Sequence, residues 1–188
     1  MWKVLLLFSL VPIAVCLGAR WWFGLRVLLQ SGGRPCKCDL ARWSPAATGT
    51  EVIHRSEQSA YEFGRELRLM ALEEWREADP KGLGSRVGSK RFGLAVPPLS
   101  GVVAIMAVVV AKIPVIGAIA CFLSATALAA VLGILSLAPE LAAVNRAIRS
   151  LREARCFPRS DDEEAVARCA VAHCWKETLP PLLAMFQK

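Results

Sequence analysis

The chain has 188 residues, 55% of them hydrophobic and 21% charged, with a formal net charge of +7 and a mean hydropathy of +0.42. That length suits one structural unit, so any division is expected between membrane and aqueous parts rather than between two globular cores, with apolar and charged residues gathered in separate blocks. The basic residues fall beside the apolar blocks, at 20–91 and 146–188, and no groove-reading motif accompanies them, which argues against nucleic acid and for anionic lipid headgroups.

Residues 4–17 form an apolar run broken by Ser9 and Pro12, and apolar character resumes after Arg20 through Trp21, Trp22 and Phe23 to Leu29. No A-x-A site precedes a plausible cut, so this is read as an uncleaved anchor helix with an interfacial aromatic belt. The stretch 30–47, rich in Gly, Ser, Pro and Cys, reads as a loop. Over 56–78 the residues Ala60, Phe63, Leu67, Ala71, Trp75 and Ala78 recur at steps of three and four, which predicts an amphipathic helix. Asp79-Pro80 is expected to end it, and 81–92 to be a basic, glycine-rich connector.

Two apolar runs follow, 94–111 and 115–138, with Lys112 beside Ile113-Pro114 marking the turn between them, and together they predict a transmembrane helical hairpin. Small residues on both (Gly101, Ala104, Ala107; Gly117, Ala120, Ser124, Ala127) would allow close packing. Beyond Pro139, Leu141, Val144, Ile148 and Leu151 form one face of a helix that also carries Arg146, Arg149, Arg152 and Arg155, the pattern of a lipid-hugging segment. Ser160-Asp161-Asp162-Glu163 has the form of a capping box opening a last helix toward Thr178, before Pro180-Pro181 and a short apolar end.

The expected fold is therefore an all-α integral membrane protein: an anchor over 1–29, a cytoplasmic loop and amphipathic helix over 30–93, the hairpin over 94–138, and cytoplasmic amphipathic helices over 139–188. The charge bias places the N-terminus outside and the C-terminus in the cytoplasm. Expected partners are membrane lipids and a membrane protein or further copies of this chain, with no cofactor.

Catalytic histidine is scarce, with His54 and His173 alone, and no G-x-S-x-G, P-loop or dinucleotide fingerprint is present. Seven cysteines, an odd number, exclude a complete intramolecular disulfide framework. Cys36, Cys38, His173 and Cys174 offer thiolate and imidazole metal ligands, but only if a loop and a helix end converge; the alternative is reduced cysteines on a surface or helix face.

Three stretches, in order, carry a resemblance. Thr48-Gly49-Thr50-Glu51-Val52-Ile53-His54-Arg55 precedes Ala60-Tyr61-Glu62-Phe63-Gly64-Arg65, and after the hairpin comes the stretch Leu137-Ala138-Pro139-Glu140-Leu141-Ala142 continuing to Ala147. The chain thereby resembles a shortened, degenerate member of the bacterial membrane-anchored neutral zinc metallopeptidases. The resemblance implies that Tyr61 and Arg65 stand where that family has its two zinc-binding histidines, that Glu62 stands at its water-activating glutamate and that Glu140 stands at its third ligand; Ala142 replaces an aspartate. Zinc hydrolysis is not expected from such a set, because two carboxylates are too few for a tetrahedral site and Arg65 opposes a cation. The vestigial site Tyr61, Glu62, Arg65 and Glu140 is instead expected to hold an ion pair of Arg65 with Glu62 or Glu140, unless Glu62 and Arg65 are an ordinary i,i+3 surface pair. The resemblance implies a catalytically silent accessory or regulatory subunit of the bacterial inner membrane. The other readings are a structural subunit of a larger membrane complex and an active membrane zinc peptidase.

Overall fold

A computed structural model describes residues 2–39, 42–43, 56–110 and 113–178. The elements in chain order are α1 (Trp2–Ala19), a π-helical segment (Arg20–Leu25), α2 (Arg26–Ser31), β1 (Pro35–Lys37), β2 (Glu57–Ser59), α3 (Ala60–Ala78), α4 (Pro80–Val109), α5 (Val115–Leu135), α6 (Leu137–Ala154) and α7 (Ser160–Lys176). The all-α expectation holds apart from one short antiparallel pair of strands, β1 with β2. Three helical stretches, Trp2–Ser31, Pro80–Val109 and Val115–Ala154, are long and apolar enough to cross a membrane. The chain divides into two compact units: Met1–Arg20, Gly84–Leu137 and Glu177–Lys188 form unit 1, and Trp21–Leu83 and Ala138–Lys176 form unit 2.

Unit 1 is assembled on narrow seams of small residues. On α1 the buried positions are Ser9, Ile13 and Cys16, at the three and four residue steps that keep one face of a helix together. They meet the small face of α5: the Ser9 and Ser124 hydroxyls lie 2.9 Å apart, Cys16 packs on Ala130, and Gly117 lies under the Trp2 ring. The small residues of α5, read from the sequence as packing on the hairpin partner α4, thus pack on α1 instead. On α4 the buried positions are Arg86, Gly93, Pro97 and Ala104, one line along the helix, with Gly101 against the ring of Phe122.

The segment 81–92 is not a connector, because α4 begins at Pro80. Asp79 caps it: its side chain accepts a hydrogen bond from Gly82 N at 3.0 Å, and a proline at the first helical position loses no bond. Arg86 is consequently carried on the helix, where its guanidinium donates to Gly133 O at 3.0 Å and Ser136 Oγ at 2.7 Å. A cation on the last carbonyls of α5 satisfies acceptors that the helix leaves open and complements its dipole.

Unit 2 has a conventional core. Trp43, Phe63 and Phe157 form an aromatic triangle with ring centroids 5.4–5.7 Å apart, in the tilted and edge-to-face arrangements that aromatic quadrupoles favour. The α3 stripe is buried from Ala60 through Phe63, Leu67 and Ala71 to Trp75, while Ala78 is exposed. Helix α3 crosses α7 at Gly64, where a Cβ would come within 2.6 Å of the Cys169 Cβ and 2.8 Å of Ala170 N. The stretch 30–47 contains β1, and α3 starts at Ala60 rather than at 56 because 57–59 pair with it, Pro35 opposite Ser59 and Lys37 opposite Glu57. The apolar face of α6 is buried by protein rather than left open to lipid at Val144, Ile148 and Leu151, with Leu141 half-buried. In the first turn of α7, buried Asp162 meets Arg34 at 3.1 Å.

Candidate functional site

Glu140 lies in the first turn of α6 and is fully buried. It occupies the apolar stripe of that helix, four residues before Val144, so the helix that buries Val144 buries it too. Arg68 lies on the apolar stripe of α3, one turn after Gly64 and three residues before Ala71, and is 3% exposed. Its Nε and Nη2 both donate to Glu140 Oε1, at 2.8 and 2.5 Å. Charge-assisted bonds of this kind offset the desolvation of two ions only when the geometry is close, as it is here, and the positive end of α6 adds to the field at the carboxylate.

The pairing expected for Arg65 is therefore made by Arg68. Glu62 and Arg65 are both exposed on the outer face of α3. The backbone N–H of Glu62 donates to the Ser59 side chain at 3.3 Å, and Ser59-x-x-Glu62 is the capping-box spacing, so Glu62 stands where it opens a helix. Tyr61 joins α3 to the C-terminal end of α7. Its ring meets His173 edge-on at 4.5 Å, its carbonyl lies 3.1 Å from His173 Nε2, and its hydroxyl accepts from Lys176 Nζ at 3.1 Å. Of the four positions implied by the resemblance, Glu140 alone reaches the interior, and its partner is a guanidinium. The donor set does not suit zinc: the one buried carboxylate is already neutralised, and Tyr61 is engaged with α7.

The cysteine and histidine alternative fares no better as a metal centre. Cys36 is on β1 with its thiol 3.9 Å from Asp162 O, whereas Cys174 donates to Ala170 O within α7 and His173 faces Tyr61. Among the described residues no group of three or more His, Cys, Asp or Glu side chains is arranged to hold a metal ion. Burial pushes the thiols up, Cys36 and Cys169 to about 11 and Cys38 to about 12, with the neighbouring Asp162, Cys36 and Cys156 respectively adding to the shift. Thiols in that range are not the thiolates that ligate metals or attack electrophiles at neutral pH. His54 and the stretch 48–55 lie outside the described residues.

Two signals in the sequence pointed to this arrangement. A charged residue inside an apolar stripe seeks a partner in the interior, and both Arg68 and Glu140 are so placed; Ser59 three residues before Glu62 marks a helix start. The chain matches no protein-family model, and neither a curated protein nor a solved structure matches it.

Proposed function

We propose that this chain is a catalytically silent, metallopeptidase-like membrane protein that acts as an accessory or regulatory subunit. The observation that carries this reading is the fully buried Glu140 held by Arg68 at 2.5–2.8 Å: the guanidinium compensates the charge of the carboxylate and opposes a metal cation beside it. In unit 2 the ion pair takes the place that a metal would have, joining α3 to the start of α6. The basic residues at 20–91 and 146–188 support a cytoplasmic position for those segments at a bacterial inner membrane, with the N-terminus outside.

The test is purification of the full chain in mild detergent from its native membrane. A stoichiometric membrane-protein partner is expected, together with no hydrolysis of an unfolded protein substrate and no zinc after dialysis. Zinc near one atom per chain, lost in Glu140→Ala and Glu62→Ala, would overturn the proposal. A partner bound through unit 1 alone, with Arg68→Met/Glu140→Leu leaving the complex and its activity unchanged, favours instead a structural subunit without enzymatic ancestry.

A further inference from the structure

Within unit 2 a cavity of about 320 Å³ opens between α3, α6 and the residues flanking Cys156. That volume lies at the lower end of the range for small-molecule sites, roughly 300–1,000 Å³. Its walls are of two kinds. Leu67, Met70, Ala147 and Leu151 line the apolar part, and Glu73, Glu74 and Glu77, successive on the exposed side of α3, line the other. Glu73 approaches Arg76 at 3.8 Å, a loose surface pair, while Arg42, the one cation lining the cavity among the described residues, is paired with Asp39 at 3.3 Å. On a chain of net charge +7 this is a local concentration of negative charge, and it selects for positive charge in whatever enters.

A second, independent feature points to an occupant. Trp43 lines the same cavity and is 4% exposed, and its indole Nε1 is buried with no hydrogen-bond partner. Buried donors are almost always satisfied, and one left open beside a cavity marks the place of an acceptor. We propose that this cavity binds an amphipathic organic cation: an amine with a compact apolar body and one oxygen acceptor. The body lies on Leu67, Met70 and Leu151, the ammonium reaches Glu74 and Glu77, and the oxygen accepts from Trp43 Nε1. The site is separate from the Arg68–Glu140 pair and does not depend on the reading of that pair.

The experiment is calorimetric titration of the full chain in a nonionic detergent with 4-methoxyphenethylamine, which has an aromatic body, an ammonium and an ether oxygen. Its neutral alcohol analogue is titrated alongside. Saturable 1:1 binding of the amine is expected, roughly tenfold or more tighter than the alcohol. Glu74→Gln/Glu77→Gln, at exposed positions that do not support the core, is expected to remove that preference. Trp43→Phe keeps an aromatic side chain, though a smaller one, and loses the donor, and it is expected to weaken the amine and the alcohol alike. Leu151→Trp fills the cavity and is expected to abolish binding, which separates the site from partition into the micelle. Equal affinity for amine and alcohol, binding that survives Leu151→Trp, or no saturable binding would each overturn the proposal. So would a basic amphipathic peptide that displaces nothing from the cavity yet depends on the same glutamates, because the acidic face would then serve a protein partner.

Discussion

The two units are built with opposite placement of large and small residues. In unit 1 the large side chains point outward, Phe8 being 75% and Val109 74% exposed, while Ala120 and Ala130 are fully buried. In unit 2 Phe63 and Trp75 are inside, and the exposed surface of α3 is mostly charged, carrying Glu62, Arg65, Glu73, Glu74, Arg76 and Glu77 beside Leu69 and Ala78. Unit 2 follows the rule for chains folded in water, where removing large apolar area is the driving force. Unit 1 follows the rule for hydrocarbon, where a leucine gains nothing by leaving the surroundings and helices associate through the close approach that small residues permit. The exposed apolar residues of unit 2 are correspondingly concentrated at Trp21, Trp22, Phe23 and Leu29, with Arg26 stacked 4.2 Å over the Trp22 ring, a composition suited to the membrane interface.

The largest effect that sharpens this contrast is expected at the buried ion pair. Arg68→Ala or Glu140→Ala strands the opposite charge in the interior of unit 2 and is expected to cost about 3–5 kcal/mol, whereas Arg68→Met/Glu140→Leu is expected to be neutral or stabilising by about 1–4 kcal/mol. Chemical unfolding followed by near-ultraviolet circular dichroism measures both. Equal losses in the single and double variants would mean that the pair is not buried as described.

Next in size are substitutions that enlarge the tight crossings. Gly64→Ala places a methyl against the α7 backbone, and Ala120→Leu forces α1 and α5 apart; each is expected to cost about 1–3 kcal/mol by overpacking. The contrast between units is tested by the reverse change on the outer faces. Leu99→Ala and Val109→Ala in unit 1 are expected to shift the thermal midpoint in detergent negligibly, because neither residue is buried by protein. A large loss at Leu99 or Val109 would show that this face is covered by a protein partner and not by lipid.

Much of this contrast was legible from periodicity. The α3 stripe of Ala60, Phe63, Leu67, Ala71 and Trp75 is buried as its spacing predicts, the α6 positions Val144, Ile148 and Leu151 share one face as predicted but bury it in protein where lipid was expected, and the three apolar stretches are helices. Strands of three residues have too few positions to show a period of two, which is why β1 and β2 escaped notice. The helicity of 80–93 was hidden by Gly82, Gly84 and Gly88, although Asp79-Pro80, read as a stop, is equally a cap and first turn. Small residues on α4 and α5 showed that α5 packs closely without naming α1 as a partner, since periodicity gives the face of a helix and not what covers it. At the candidate site the resemblance drew attention to Tyr61, Glu62 and Arg65, all set by the family motif, and away from Arg68, whose place in the apolar stripe was the physical signal.

The smallest expected effect concerns the thiols of unit 2. Cys36 and Cys169 are pushed up to about 11 and Cys38 to about 12, from an ordinary value of 9.0, chiefly by burial. Below pH 9 the thiols are protonated in folded and unfolded chains alike and contribute no pH dependence. Above it the unfolded chain releases protons that the folded chain retains, so unfolding is favoured and stability falls as pH rises through the interval from about 9 to the raised values. The denaturant midpoint of the reduced protein is accordingly expected to be level from pH 7 to 8.5 and to decline toward pH 10.5. Cys38→Ala should flatten that decline, since it removes the group shifted furthest. The same burial predicts that a water-soluble disulfide reagent at pH 7.5 labels Cys36, Cys38 and Cys169 only as fast as unit 2 opens, so their rate should rise in Arg68→Ala. Rapid labelling of Cys38 in the intact protein would break the comparison at its base, because the interior of unit 2 would then be open to water.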